Sequence, residues 1–120
     1  SGHVSLLTAV LAGNGTKVKY AGTLAWDRKP RIVQVNEYQL DIVPTPYMLF
    51  DEHLDRPGVI GQFASALAEA DINIAMMQLA RKGKGEEALM ILSVDSPADE
   101  NTVAKLHKLD GILNVKVVTM

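Results

Sequence analysis

Between residues 47 and 118 the spacing of apolar side chains switches from strand-like to helical and back, twice, and this alternation constrains the fold more than any other feature. "YMLFDEHL" predicts a strand. After it Val59, Phe63, Ala66, Leu67 and Ala70 recur at helical spacing, and Ile60 and Ala64 broaden the stripe, so the segment predicts a core-facing helix. "INIAMMQLA" and "EALMILSVD" predict two strands, and the polar, glycine-bearing "RKGKGE" between them predicts an antiparallel hairpin. "SPADENTVAKLHKL" opens with Ser96, Pro97 and an acidic first turn and sets Val103, Leu106 and Leu109 on one side; Gly111 ends it. "ILNVKVV" predicts a last strand with Leu113, Val115 and Val117 on a shared face. The order β-α-β-β-α-β implies an α+β, ferredoxin-like module in which two helices cover one face of a four-stranded antiparallel sheet. Sheets of this plan leave the other face and an edge unpaired, and an open edge invites a second copy.

Upstream the pattern differs. Residues 4 to 43 read as a run of short strands, with β-branched alternation in "TKVKYAGTL" and "RIVQVNEYQLDIV". Asn14-Gly15 predicts a hairpin turn because both residues tolerate positive φ, "DRKP" at 27–30 predicts a second connection, and Trp26 beside it reads as a packing residue. The prolines of "PTP" at 44–46 remove ladder donors and stiffen the chain, which puts the module boundary there: 1–46 a short all-β segment, 47–120 the α+β module. Charge changes at the same point, from five basic and three acidic groups before it to seven and eleven after. Ser1, Gly2 and His3 lack an initiator Met and read as a cloning remnant, which suggests a piece of a longer protein.

Composition narrows the function classes. Of 120 residues 48% are apolar, enough for a real core, and the net charge of -2 lacks the basic excess of a nucleic-acid footprint, so no nucleic-acid partner is expected. With no cysteine there is no disulfide framework and no thiol chemistry, which suits a cytoplasmic location. No apolar run approaches the roughly 20 residues of a membrane span, so no membrane partner is expected. The sequence shows no nucleophile-base-orienter set, and no dinucleotide glycine fingerprint joins a strand to a helix. "GKGEE" sits in a hairpin, so it reads as a solvated turn, and Arg81, Lys82 and Lys84 read as its solvated charges. Met76, Met77 and Met90 read as core filler. Asp51, His53 and Asp55 share a parity, but with no second His to close the shell they make a poor metal set, so no metal is expected.

The chemistry lies in "HLDRPGV". Pro57 suits a first helical turn, and Gly58 lets the backbone approach whatever occupies the corner. Free N–H groups at the helix start suit a carboxylate, and Asp55 suits an ammonium group, so the corner fits a zwitterion. The plainer alternative is that Asp55 caps the helix and Arg56 is a surface charge. Asp71 is expected in the left-handed region, and Asn73, just beyond, is either a self-satisfied turn residue or a ligand contact. His53 shares the parity of Asp55.

"DRPGVIGQFASALAEADINIAMMQLARKGKGEEALMILSVDSP" resembles the ACT domain, a small amino-acid-binding regulatory module, in the version carried by the D-3-phosphoglycerate dehydrogenase family. "VKYAGTLAWDRKPRIVQVNEYQLDIVP" resembles the end of the allosteric substrate-binding domain just upstream in the long form of that family. The resemblance implies a non-catalytic regulatory fragment that binds L-serine or a related small amino acid at an interface between two ACT domains. His53, Asp55, Pro57 and Gly58 match the first ligand-contacting loop, with Arg56 inside it, and Asn73 matches the contact from the opposing subunit. Pairing is expected edge to edge through the module's first strand and helix. NAD would belong to the missing catalytic part of the parent, with no cofactor in this fragment. An iron-sulfur L-serine dehydratase subunit has a similar "DRPGVI" segment, and a structural assembly module with a vestigial pocket is a third reading.

Overall fold

The computed structural model describes secondary structure for residues 3–13, 16–25 and 30–119 and side chains for residues 31–119. It divides into two compact units, Ser1–Pro44 and Thr45–Met120. In the first unit β1 (His3–Gly13), β2 (Thr16–Ala25), β3 (Pro30–Val35) and β4 (Tyr38–Ile42) form an antiparallel meander in chain order. Asn14-Gly15, Trp26 and most of the second connection lie outside the described residues. "RIVQVNEYQLDIV" holds a turn that its alternation hides: Asn36 takes φ 52°, and Val35 pairs with Tyr38 across the two-residue link. Ile32, Val35, Tyr38 and Ile42 are its buried apolar side chains.

The second unit contains β5 (Tyr47–Leu54), α1 (Val59–Glu69), β6 (Ile74–Arg81), β7 (Glu87–Val94), α2 (Glu100–His107) and β8 (Ile112–Thr119). Its antiparallel sheet has the order β6-β7-β5-β8, so the unit has the α+β, ferredoxin-like plan. The α1 crossover carries the chain past one strand position, and β7 folds back into the gap. The first strand of the module is therefore interior, hydrogen-bonded to β7 and β8, and pairing with a second copy through it is ruled out; the open edges are β6 and β8.

Between helices and sheet, Phe63 and Leu67 of α1 and Leu106 of α2 pack with Leu49, Met90, Leu92 and Val115. The other face is not bare, as the sequence had suggested. Met48, Phe50, Leu89 and Ile91 on it are buried too. Edge strands have a neighbour on one side only, and this exposes Leu113 and Val117 of β8 despite the burial of Val115 between them, and Met77 of β6, which is surface rather than core filler.

Both helix starts differ from expectation. Helix α1 begins after Pro57, with Gly58 at its N-cap at φ 90° and no side chain capping it, so Asp55 is not a cap. The cap of α2 is Asp99, whose Oδ1 accepts the Thr102 N–H at 2.8 Å, while Ser96 and Pro97 lie in the preceding bend. The end of α1 follows the expectation at Asp71, which takes φ 60°. Asp71 N–H donates to the Ala68 carbonyl and Ile72 N–H to the Leu67 carbonyl, a Schellman closure that buries Ile72 against the core.

Candidate functional site

The link from β5 to α1 is fastened on two sides. Toward the α2–β8 turn, Leu54 N–H donates to the Gly111 carbonyl at 2.8 Å and Arg56 Nη2 pairs with Asp110 at 2.9 Å. Toward the β6–β7 hairpin, Asp55 N–H donates to the Glu86 carbonyl at 2.7 Å, Gly85 N–H donates to the Asp55 carbonyl at 2.9 Å, and Arg81 Nε donates to Asp55 Oδ2 at 2.7 Å. Strand register explains the second set, because Ala88 of β7 pairs with His53 on one side and Arg81 on the other. The hairpin mouth thereby meets the corner.

A cleft of about 320 Å³ opens there, lined by Asp55, Arg56, Pro57, Gly58, Ile60, Arg81 and Lys84. Four of the six residues expected from sequence meet in it. The first helical hydrogen bond runs from Gln62 N–H to the Gly58 carbonyl, which leaves the amides of Val59, Ile60 and Gly61 without helical acceptors beside the cleft. Asp55 is 16% exposed, held by an arginine that is itself mostly open to solvent. The cleft thus offers one carboxylate, backbone donors and three cations. A larger groove of about 580 Å³ along Gly58, Gly61, Gln62, Ser65, Ala66, Glu69 and Leu109 has a single charged wall residue and no such convergence.

The other two expected residues lie elsewhere. His53 is 2% exposed, with Nδ1 2.6 Å from Oδ1 of Asp51, itself wholly buried. Burial pushes the Asp51 carboxyl above its ordinary value, against the pull of His53, and its Oδ2 has no hydrogen-bond partner. Asn73 is exposed, and its carbonyl accepts from Asp95 N–H at 3.0 Å at the start of β6. Eight residues of strand separate it from Arg81, about 26 Å along the edge. Asp51, His53 and Asp55 do not converge, since the first two bind each other and the third binds Arg81.

Sequence reasoning passed over Arg81, Lys84 and Ile60. As hairpin residues the cations read as solvated charges; the signal that finds them is strand order, which seats the hairpin beside the end of β5.

An ACT domain family model matches residues 47–111. The chain is 33% identical over 120 residues to D-3-phosphoglycerate dehydrogenase of Bacillus subtilis (strain 168), covering all of this chain and 23% of that protein. It is 35% identical over 112 residues to the protein of the same name from Synechocystis sp. (strain ATCC 27184 / PCC 6803 / Kazusa), covering 92% of this chain and 20% of that one. Over 113 residues it is 33% identical to the "Probable L-serine dehydratase, beta chain" of Bacillus subtilis (strain 168), covering 94% of this chain and 51% of that protein. The chain spans only about a fifth of the length of the two dehydrogenases.

Proposed function

The chain belongs to the ACT domain family, and on that premise we propose that it is the regulatory, amino-acid-binding part of a D-3-phosphoglycerate dehydrogenase, with L-serine or a related small amino acid as its effector. The observation that carries this reading is the cleft at the β5–α1 corner, where the Asp55 carboxylate and the helix-start amides lie together at the end of an open edge strand. Those groups complement the two charges of an amino acid.

Self-association completes the site on this reading. Two β6 edges paired antiparallel about a two-fold axis would bring the start of one, at Asn73, to the end of the other, at Arg81 and Asp55. The 26 Å or so that separates these residues within one chain is then a reason to need two. Exposed Met77 and Leu79 on that edge supply apolar surface for the contact. A ligand touching both chains favours the arrangement that holds both, and by linkage it transmits its presence to whatever the module is attached to. His53, buried and bonded to Asp51, would act indirectly by bracing the end of β5.

This fragment would have no catalytic role. The parent's dehydrogenase chemistry and its NAD would be carried outside this chain, which has no strand-to-helix glycine fingerprint to hold a dinucleotide. A chain free of cysteine fits a cytoplasmic setting. Similarity across half of the serine dehydratase subunit favours a second reading, in which the module regulates that enzyme instead. A nicotinamide-binding fold encoded upstream in the same gene would decide for the dehydrogenase. Calorimetric titration of the dimer with L-serine, against glycine as control, tests the ligand: heat with serine is expected, and none at about millimolar serine removes the effector from the account.

A further inference from the structure

The charges around the cleft are not balanced for a neutral ligand. Its walls carry Arg56, Arg81 and Lys84 against Asp55 alone. Arg56 is engaged outward by Asp110, and Arg81 is bound through Nε to the one carboxylate that a ligand ammonium would seek. A zwitterion must therefore displace Arg81 from Asp55 or leave its own ammonium unpaired. Arg81 donates to Asp55 through Nε, which leaves its two Nη groups as further donors on a side chain that is mostly open to solvent. Lys84, on the exposed hairpin, contributes a second cation to the same wall. Arg81 fixed by a carboxylate, with a lysine beside it, is a receptor for an anion.

We infer that the cleft selects a small acid with a second anionic group, a three- or four-carbon amino or hydroxy acid bearing an added phosphate or carboxylate, and that Arg81 and Lys84 read that extra charge. The inference rests on the reading of this cleft as the ligand site. Such a ligand can leave the Arg81–Asp55 pair in place and use its outward face; where it is an amino acid its ammonium then stays in solvent, and the contacts of the added anion with Arg81 and Lys84 outweigh that loss. The contacts are solvent-facing, so the preference weakens with salt.

The test compares three probes on the folded chain: L-serine, O-phospho-L-serine and L-aspartate. At low salt O-phospho-L-serine is expected to bind about tenfold more tightly than L-serine, with aspartate between them. Arg81→Gln should weaken phosphoserine and strengthen serine, because it frees Asp55 for the ammonium. Lys84→Ala, on the exposed hairpin where folding is not at stake, should shrink the preference without the second effect. Equal or weaker binding of phosphoserine, or a preference untouched by both substitutions, overturns the inference while serine binding leaves the site reading standing. Silence from all three probes removes both.

Discussion

Gly58 and Gly111 hold nearly the same backbone angle, φ 90° and 89°, in opposite surroundings, and that makes them a matched pair. A Cβ at Gly58 meets nothing within 4 Å. At Gly111 it would lie 2.8 Å from Val59 Cγ2 and 3.3 Å from Arg56 Nη2. The left-handed penalty for Ala is common to both, about 1–2 kcal/mol, offset in both by a similar loss of unfolded-state entropy. Gly111→Ala adds the cost of pushing the first turn of α1 off the α2–β8 turn, about 1–3 kcal/mol for an overpacked contact with a branched side chain fixed in a helix. With the offset of about 0.4–1 kcal/mol taken off, Gly58→Ala should therefore cost about 0–1.5 kcal/mol and Gly111→Ala about 1–4.5. Urea denaturation of both variants beside the parent chain reads the difference directly. Equal midpoints would refute the argument that Gly111 is the close-approach point fastening α1 to β8. Because the same contact bears on Arg56, Gly111→Ala should also weaken ligand binding.

Other consequences follow from burial and charge. The Asp51 carboxyl is raised by burial, so in the window between its ordinary and raised values the folded chain holds a proton that the unfolded chain has lost; its contribution to stability is complete below the ordinary value and is lost as pH rises through the raised one. Asp51→Asn, which keeps an acceptor for His53, should gain relative to the parent as pH rises above the ordinary carboxylate range, whereas Asp51→Ala should cost about 1–3 kcal/mol by stripping His53 of its partner; urea melts across pH check both. Asp99 has the opposite sign, held below its ordinary value by the Thr102 amide, so its stabilisation is present above the ordinary carboxylate range and lost as pH falls through the depressed value. Asp99→Ala should destabilise at neutral pH and converge with the parent in acid, read from helical circular dichroism on heating. Phe63→Ala, at a wholly buried position facing Leu49 and Met90 in the core, should cost about 3–5 kcal/mol in the same denaturation assay.

The elements of the second unit were legible because its sequence changes period cleanly at each boundary, and Asp71 was legible because few residues besides Gly and Asn end a helix in the left-handed region without help. Strand order was not, and two site errors follow from it. Without the position of β7 between β5 and β6, nothing in "RKGKGE" says that Arg81 reaches Asp55, and nothing in "YMLFDEHL" says that the first strand is interior. Alternation also misled at His53: sharing the parity of Asp55 on an ideal strand puts the two together, but β5 ends between them at Leu54 and the chain turns, leaving His53 under the helices with Asp51. Helix starts were misplaced for a related reason. Ser96 and Asp99 are both acceptable caps, and Pro57 an acceptable first residue, so local chemistry alone leaves the choice to packing.

On the proposed function one ligand site is built from two chains, with Asp55 from one and Asn73 from the other. Asp55→Ala and Asn73→Ala chains, each prepared as a dimer, should both fail to bind L-serine. Mixed in equal amounts and allowed to exchange, they form mixed dimers in which one site carries both substitutions and the other neither, so binding should return to about a quarter of the parent's capacity. A mixture that stays silent, or an Asn73→Ala dimer that binds like the parent, would contradict the shared site.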